Sequence, residues 1–317
     1  MAYYYEKLNN KQKTIYSSLQ TGIESLSKEI VLPLMRADEV KLIFEYILLD
    51  NPLIFYVRSY RIYLDGSCRI LPDYRYDFSV VNDYTQRIIR HLKVFDPARH
   101  KTHMEKELFV HDYCLNHFKY DYSFADHCFS VLGPILNNTG VCEGITKYVK
   151  LSLDYLGVNS LVVNGEAINP SSGQREPHAW NIVDIMGNTY HLDVTFDLTL
   201  KTQANRYDYF NLTDKDISKD HVYENNLPRC ISEGKDYFSM QGAIANSPTE
   251  LCRYIGKTLR QGKKHIMVKL RHVEDEKTIA DKVMSIASME YKQIFNKSVA
   301  VSISCNLRQA VFEISFT

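Results

Sequence analysis

The chain has 317 residues, of which 45% are hydrophobic and 24% charged, and its 38 basic residues balance its 38 acidic ones. This composition is typical of a soluble globular protein that is long enough for one large core or two smaller ones. The balanced charge gives no reason to expect a nucleic acid or an anionic membrane as a partner.

Neither targeting nor membrane insertion is indicated. No apolar stretch of about 18 residues occurs, so no transmembrane segment is predicted. The segment from Met1 to Lys7 lacks a basic region followed by an apolar run, so no signal peptide is predicted. The expected location is therefore the cytoplasm.

Helices and one hairpin are predicted in the first part of the chain. Apolar residues recur near helical spacing over residues 8–32, 37–49, 78–95 and 103–118. Between the second and third helices, Asp65-Gly66 separates an apolar run that ends at Leu64 from one that begins at Cys68, which is a hairpin signal. We expect residues 1–100 to form a helical region that carries this β-hairpin.

Cysteines and histidines show no spacing typical of a metal site. The cysteines occupy positions 68, 114, 128, 142, 230, 252 and 305, and six histidines occupy positions 91, 100, 103, 111, 117 and 127. The cysteines are expected to be reduced and mostly buried, and the histidines to lie exposed on helix surfaces. No Asp-x-Asp-x-Asp-Gly calcium loop occurs either. No metal and no other cofactor is predicted.

Cys142 is predicted to lie in the first turn of a buried helix. The apolar positions that follow it share one helical face and are residues 141, 145, 148, 149, 153 and 156. The unpaired N–H groups and positive dipole end of such a turn favour a thiolate over a thiol. Gly140 and Gly144 leave room for close backbone approach. The alternative is that Cys142 is merely a small buried hydrophobic residue.

His178 and Asp193 are predicted to lie on two strands of one hairpin. If Met186-Gly187 form the turn, Asp193 pairs with Trp180, and His178 becomes a diagonal neighbour about 7 Å away on the same face. If Gly187-Asn188 form the turn, the contact becomes too long without a bulge. We predict the first register.

Other polar residues near this hairpin compete for the same roles. His191 shares a face with Asp193 and is the rival base, although it is only two residues from the proposed orienting carboxylate. Asp197 and Glu143 are further carboxylates with structural or substrate-facing roles. Alternatively, His178 is an ordinary strand residue and Asp193 a turn-end carboxylate.

The end of the chain, residues 240–317, is predicted to be a small α+β accessory domain. Its predicted elements are a helix capped by Ser247, a strand over 265–270, a helix over 275–296 and two alternating strands over 299–304 and 310–316. This α-β-α-β-β order suggests helices layered on a sheet.

Three motifs in chain order carry a resemblance to a known family. Gly140-Val-Cys-Glu-Gly144, His178-Ala-Trp-Asn181 and His191-Leu-Asp-Val-Thr-Phe-Asp197 resemble the bacterial branch of the transglutaminase-like superfamily. The strong part of the resemblance covers about residues 105–225 and also includes Asp220-His221.

The resemblance implies an α+β, papain-like core over residues 101–239, in which a nucleophile helix packs on an antiparallel sheet. By position, Cys142 would be the nucleophile, His178 the general base and acid, and Asp193 the residue that orients His178. The backbone N–H of Cys142 would donate to the oxyanion.

A second oxyanion donor is not identified by the sequence. Where the family often has a tyrosine before the glycine of the pre-cysteine segment, this chain has Leu132 before Gly133. The residues considered as replacement donors or substrate contacts are Tyr120, Tyr122, Asn138, Trp180 and Glu143.

The leading hypothesis is a cysteine hydrolase of peptide or amide bonds that acts through a thioester acyl-enzyme on a peptide or protein substrate. A transglutaminase-like transamidase is second, because it shares the acyl-enzyme and differs only in its acceptor. The third hypothesis is a non-catalytic binding module that keeps the fold.

Overall fold

The computed structural model describes residues 2–169, 173–202, 204–224, 226–273 and 275–317. These residues form a mixed α+β structure. The helices are α1 (Tyr3–Glu6), α2 (Asn10–Glu24), α3 (Ala37–Asp50), α4 (Phe78–Leu92), α5 (His103–His117), α6 (Cys142–Tyr155), α7 (Val194–Leu200), α8 (Asp214–Ile217), α9 (Tyr237–Gln241), α10 (Pro248–Arg260) and α11 (Ile279–Phe295).

The strands build three larger sheets and one short parallel pair. They are β1 (Ile30–Leu32), β2 (Val57–Leu64), β3 (Cys68–Tyr74), β4 (Lys119–Tyr120), β5 (Thr139–Gly140), β6 (Ser160–Ile168), β7 (Arg175–Ile185), β8 (Asn188–Leu192), β9 (His221–Val222), β10 (Ile244–Ala245), β11 (His265–Leu270), β12 (Val301–Asn306) and β13 (Val311–Phe316).

The N-terminal sheet has the order β1-β3-β2 and contains the predicted hairpin, with Leu64 paired to Cys68. The predicted helix over 8–32 is wrong at its end, because α2 stops at Glu24 and Ile30–Leu32 is a strand. Leu26 adopts a positive φ of 53°, a conformation that a helix cannot continue through. The chain then turns back, and β1 pairs with β3.

The central sheet is antiparallel and has the order β8-β7-β6-β9. Helix α6 packs on β6 and β7. Two buried side chains tie the helix to the sheet, because Thr146 Oγ1 donates to the Ala179 carbonyl and Asn181 Nδ2 donates to the Thr146 carbonyl. The start of α6 is therefore held at a fixed position above strand β7.

The largest hydrophobic cluster runs from Leu8 to Phe210 and includes residues of α2, α3, α5, α6, β7 and β8. The N-terminal helices and hairpin thus pack on the same core as the central sheet. A second cluster lies between Ala245 and Phe316.

The C-terminal unit, defined as residues 243–317, has the sheet order β10-β11-β13-β12 with α10 and α11 packed together. The predicted α-β-α-β-β order is confirmed from α10 to β13, the prediction lacked the short strand β10 before it, and Ser247 caps α10 by accepting from the Glu250 N–H. In the described part of the chain, every helix is too short or too polar to traverse a lipid bilayer.

Candidate active site

Cys142 is the first residue of α6 and is separated from the short strand β5 by Val141 alone. Val141 occupies the N-cap in an extended conformation and provides no side-chain cap. Behind the first turn the backbone is tightly packed, since a Cβ on Gly144 would stand 2.1 Å from the Cys128 carbonyl oxygen. Glycine at this position therefore lets the thiol-bearing turn lie against the 126–130 segment.

The hairpin of β7 and β8 has the first of the two predicted registers, which is confirmed. Asn181 pairs with Leu192 and Ile185 with Asn188, which leaves Met186 and Gly187 as the two turn residues. Both have positive φ, at 55° and 86°, as a tight turn matching the twist of the strands requires.

Asp193 follows the last residue of β8 and places its carboxylate beside His178. His178 Nε2 lies 2.7 Å from Asp193 Oδ2, and both side chains are buried. The other oxygen, Oδ1, caps α7 by accepting from the N–H groups of Thr195 and Phe196. The helix cap thus fixes the carboxylate in the orientation that receives the imidazole.

Charge interactions dominate the protonation of this pair. Burial by itself lowers the pKa of His178, but the Asp193 carboxylate and then Cys142 outweigh it and raise that pKa to about 10. Burial raises the pKa of Asp193, but its interactions with His178 and then with His221 more than compensate and hold that pKa well below its ordinary value. Since Asp193 contacts Nε2, the nitrogen left to face the thiol is Nδ1.

Cys142 and His178 open onto a cavity of about 330 Å³. Its other lining residues are Tyr120, Tyr122, Ala167, Asn169, Glu176, Pro177, Thr195, Phe196, Thr199 and Leu200. The structure thus brings two of the five candidate donors or contacts, Tyr120 and Tyr122, into the cavity that contains the thiol.

Tyr120 stands nearest to the reacting centre. The parallel pairing of β4 with β5 sets Tyr120 opposite Gly140, two residues before Cys142. The Tyr120 hydroxyl faces the backbone N–H of Cys142, and burial followed by the Cys142 charge raises the pKa of Tyr120 well above its ordinary value. A phenol that keeps its proton can donate a hydrogen bond. Tyr122 is 75% exposed and packs its ring on Tyr120 at 5.0 Å.

Trp180 does not reach the cavity, which contradicts its expected contact with substrate. Its side chain is fully buried because Gly165 on β6 leaves room for the indole, and a Cβ there would lie 2.7 Å from the ring. The indole N–H donates to His191 Nδ1 at 3.0 Å. Trp180 stacks behind His178, with the ring centroids 6.0 Å apart.

His191, the rival base, is engaged elsewhere. Its Nδ1 accepts from Trp180 and its Nε2 lies 3.1 Å from Asp214 Oδ1. Burial lowers the pKa of His191 to about 4 despite the opposing carboxylate. His191 therefore supports the sheet rather than the thiol.

The remaining candidates lie outside the cavity. Glu143 forms an ion pair with Lys147 one turn along α6. Asn138 has a positive φ of 55° and ends the π-helical turn Gly133–Asn137, where its carbonyl accepts from the Lys119 N–H. Asn138 thus holds β4 beside β5 through its backbone.

Asp197 has a structural role as the partner of His111, and the expected exposure of His111 is wrong. Predicted as an exposed histidine, His111 is fully buried, and its Nε2 lies 3.0 Å from Asp197 Oδ2. The other oxygen of Asp197 accepts from the Tyr209 N–H at 3.1 Å. This pair joins α5 to α7 behind the site.

His221 is the site residue to which sequence reasoning gave no role. It is the first residue of β9, directly after Asp220, and its Nε2 lies 3.1 Å from Asp193 Oδ2, the oxygen that also contacts His178. The Asp220-His221 pair in the family resemblance was the available signal. The local pattern contains no information that β9 returns to the edge of β6 beside Asp193.

Three groups of side chains among the described residues have the spacing of metal ligands. They are Asp121, His127 and Cys128; His178, Asp193 and His221; and His191, Asp214 and Cys230. The second group is the hydrogen-bonded site itself. In the others, the Cys128 thiol donates to Asp121 Oδ2, and burial raises the pKa of Cys230 to about 12, which disfavours the thiolate that a metal requires.

Comparison of the sequence with protein-family models and with curated proteins finds no match. Among solved structures, a TGase has 14% identity and a TM-score of 0.31, over 54% of this chain and 51% of that one. A candidate cysteine protease from Cytophaga hutchinsonii has 16% identity and a TM-score of 0.29, over 44% and 62%. A candidate protease from Parabacteroides distasonis has 10% and 0.27, over 43% and 36%.

This chain thus spans about half the length of the TGase and less than two thirds of the other two structures.

Proposed function

We propose that the chain is a cysteine-dependent hydrolase of peptide or amide bonds with a papain-like catalytic arrangement. The observation that carries the proposal is the position of His178, which contacts Asp193 through Nε2 and interacts with Cys142 at the wall of a common cavity. Nucleophile, base and orienting carboxylate are the three parts that a thiol hydrolase needs.

In the proposed reaction, the proton of the Cys142 thiol passes to His178, and Cys142 Sγ adds as the thiolate to the carbonyl carbon of the scissile amide. The negative charge that develops on the carbonyl oxygen is stabilised by the Cys142 backbone N–H and the Tyr120 hydroxyl. His178 gives its proton to the departing nitrogen, which leaves as an amine while the acyl group remains as a thioester. His178 then takes a proton from water as the water attacks the thioester, and the thiolate and the acid are released.

A transamidase is the second candidate, and the residues that line the cavity support it as an alternative to the hydrolase. The apolar side chains of Phe196 and Leu200 line the same cavity as Glu176. The Glu176 carboxylate accepts a hydrogen bond from Asn169 Nδ2 at 2.9 Å. A carboxylate beside apolar and aromatic surface suits an approaching primary amine, which would replace water as the acceptor.

Site-resolved alkylation with iodoacetamide tests the activated thiol. Cys142 should react faster than the other cysteines at pH 7, and His178→Ala should slow Cys142 alone. Equal reactivity of all partly exposed cysteines, or an unchanged rate in His178→Ala, would support the non-catalytic binding module. Cys252 and Cys305 are the internal references, because both are partly exposed.

Incubation with a glutamine peptide, with and without a primary amine, separates the two enzymatic functions. With or without the amine, a hydrolase yields shorter peptides if it cuts the backbone, or glutamate and ammonia if it cuts the side-chain amide, whereas a transamidase yields the amine adduct. Cleavage of a library of peptides and cell-wall peptide fragments by the wild type, compared with cleavage by the Cys142→Ala variant as the blank, identifies the amide bond that is cut.

A further inference from the structure

A chain of buried hydrogen bonds continues from the triad to the C-terminal unit. Asp193 Oδ2 meets His221 Nε2 at 3.1 Å, and His221 Nδ1 meets Asp220 Oδ1 at 2.6 Å. The Tyr209 hydroxyl donates to Asp220 Oδ2 at 2.6 Å and accepts from Asn306 Nδ2 at 3.3 Å. Asn306 is the last residue of β12.

Each side chain in this series of hydrogen bonds is excluded from solvent. The relative exposures are 0% for Asp193, 1% for His221, 4% for Asp220, 2% for Tyr209 and 8% for Asn306. Buried polar groups are costly unless each is satisfied, and here each obtains its partner from the next. Displacing one member therefore leaves its neighbours unsatisfied.

The C-terminal unit is docked at this point by further polar contacts. Gln309 Nε2 donates to the Asp216 carbonyl at 3.1 Å and lies 3.5 Å from Asp220 Oδ2. Nearby, the buried guanidinium of Arg206 binds Asp208 at 2.7 Å and lies 3.5 Å from Glu313 on β13. The unit is thus fixed to the segment that carries Tyr209 and Asp220.

We propose that His221 is a positioning residue for the Asp193 carboxylate and that Asn306, from the C-terminal unit, completes its support through Tyr209 and Asp220. This inference rests on the proposed function. It assigns the C-terminal unit a part in the catalytic apparatus, because the hydrogen-bond chain behind the triad ends on its strand β12.

Geometry explains the effect expected of His221. Asp193 Oδ2 contacts two imidazole nitrogens, and the second belongs to His221, which does not line the cavity and gives the oxygen a further point of attachment. The ionisable groups that face the His221 ring are His178, Asp193, Asp220, Tyr209 and, at longer range, His191. Loss of His221 should loosen Asp193, and a loosened Asp193 stabilises the His178 imidazolium less.

The test is the pH profile of Cys142 alkylation by iodoacetamide in the full chain, read by mass spectrometry at that cysteine. We expect His221→Leu to move the profile to higher pH by about one unit, which slows the reaction about tenfold on the acidic side. His221→Gln should shift the profile less than His221→Leu does, since the glutamine amide nitrogen can still donate to Asp193. Asn306→Ala should produce a smaller shift in the same direction.

Ser304→Ala is the matched control. Ser304 lies on β12 two residues before Asn306 and accepts from Arg206 at 3.3 Å, the same length as the bond from Asn306 to Tyr209. Ser304→Ala removes a hydrogen bond between the C-terminal unit and Arg206 that is not part of the hydrogen-bond series behind the triad. Its pH profile should therefore superpose on that of the wild type.

A His221→Leu profile that superposes on the wild type overturns the inference, as does a shift that His221→Gln fails to reduce, which would indicate a packing effect. If the leucine variant does not fold, Asn306→Ala against Ser304→Ala decides alone. An unchanged profile in His178→Ala instead refutes the proposed function, so the two failures are distinguishable.

Discussion

His178 Nε2, on strand β7, lies 2.7 Å from Oδ2 of Asp193, the residue that follows strand β8, and a two-residue turn joins the two strands. This contact determines which imidazole nitrogen faces the cavity, because it leaves only Nδ1 for Cys142. The second oxygen of Asp193 caps α7. One carboxylate thus connects the hairpin, the following helix and the proposed base.

Asp193→Asn should reduce amide hydrolysis by a factor on the order of 10³, because the amide can present the wrong group to Nε2 and no longer stabilises the imidazolium. The asparagine oxygen can still cap α7, so the fold should persist. Steady-state hydrolysis of a cleaved peptide, with circular dichroism as the folding check, measures both effects.

Asp214→Asn is the control for that prediction, since it alters a partly buried His–Asp contact, His191 with Asp214, away from the cavity. Its hydrolysis rate should stay near that of the wild type. Equal losses in the two variants would mean that Asp193 acts only through stability.

Tyr120→Phe should slow hydrolysis by a factor of about 10² and leave alkylation of Cys142 by iodoacetamide nearly unchanged. Hydrolysis develops an oxyanion that the phenol can stabilise, whereas alkylation develops none. Tyr122→Phe removes a hydroxyl from the exposed neighbouring ring and serves as the control. Parallel losses in hydrolysis and alkylation would show that Tyr120 instead supports the thiol.

Gly144→Ala should destabilise the protein by several kcal/mol, because the new Cβ would stand 2.1 Å from the Cys128 carbonyl oxygen, and backbone must move to admit it. The nearest atoms to a Cβ on Gly140 belong to the Ile145 and Pro134 side chains rather than to backbone and lie at 3.0 Å and beyond, so Gly140→Ala should cost less. Urea unfolding of the two variants measures the difference. Equal stabilities would show that the 126–130 segment yields easily.

Glu107→Gln should change how stability depends on pH. Burial raises the pKa of Glu107 from 4.5 to about 8, against the hydrogen bond from Asn211 and the charge of His111. The folded protein thus favours the neutral acid, whose stabilisation is complete below pH 4.5 and is lost as the pH rises to about 8.

The wild type should therefore lose a few kcal/mol of unfolding free energy across this window that Glu107→Gln does not lose. Chemical denaturation at pH 5, 7 and 9 measures the divergence. Glu276→Gln, which removes an exposed carboxylate, is the control. If the unfolding free energies of the wild type and Glu107→Gln changed in parallel with pH, Glu107 would be ionised in the folded protein, which would contradict the prediction.

Local patterns predicted the elements that carry the proposed triad. The apolar face after Cys142 predicted α6, and the segment around Gly187 predicted a hairpin with two possible registers, of which the predicted one, with Met186-Gly187 as the turn, sets His178 beside Asp193. Helix and strand follow from the short repeat of consecutive residues, whereas the choice of register depends on which face of the hairpin is buried.

The tertiary structure decided the contacts between distant segments. It placed the Tyr120 hydroxyl at the Cys142 N–H through the parallel pairing of β4 with β5, buried Trp180 against Gly165, and brought His221 to Asp193 through the return of β9 to β6. Periodicity says which face of an element is apolar, but only packing and buried hydrogen bonds select which other element covers that face.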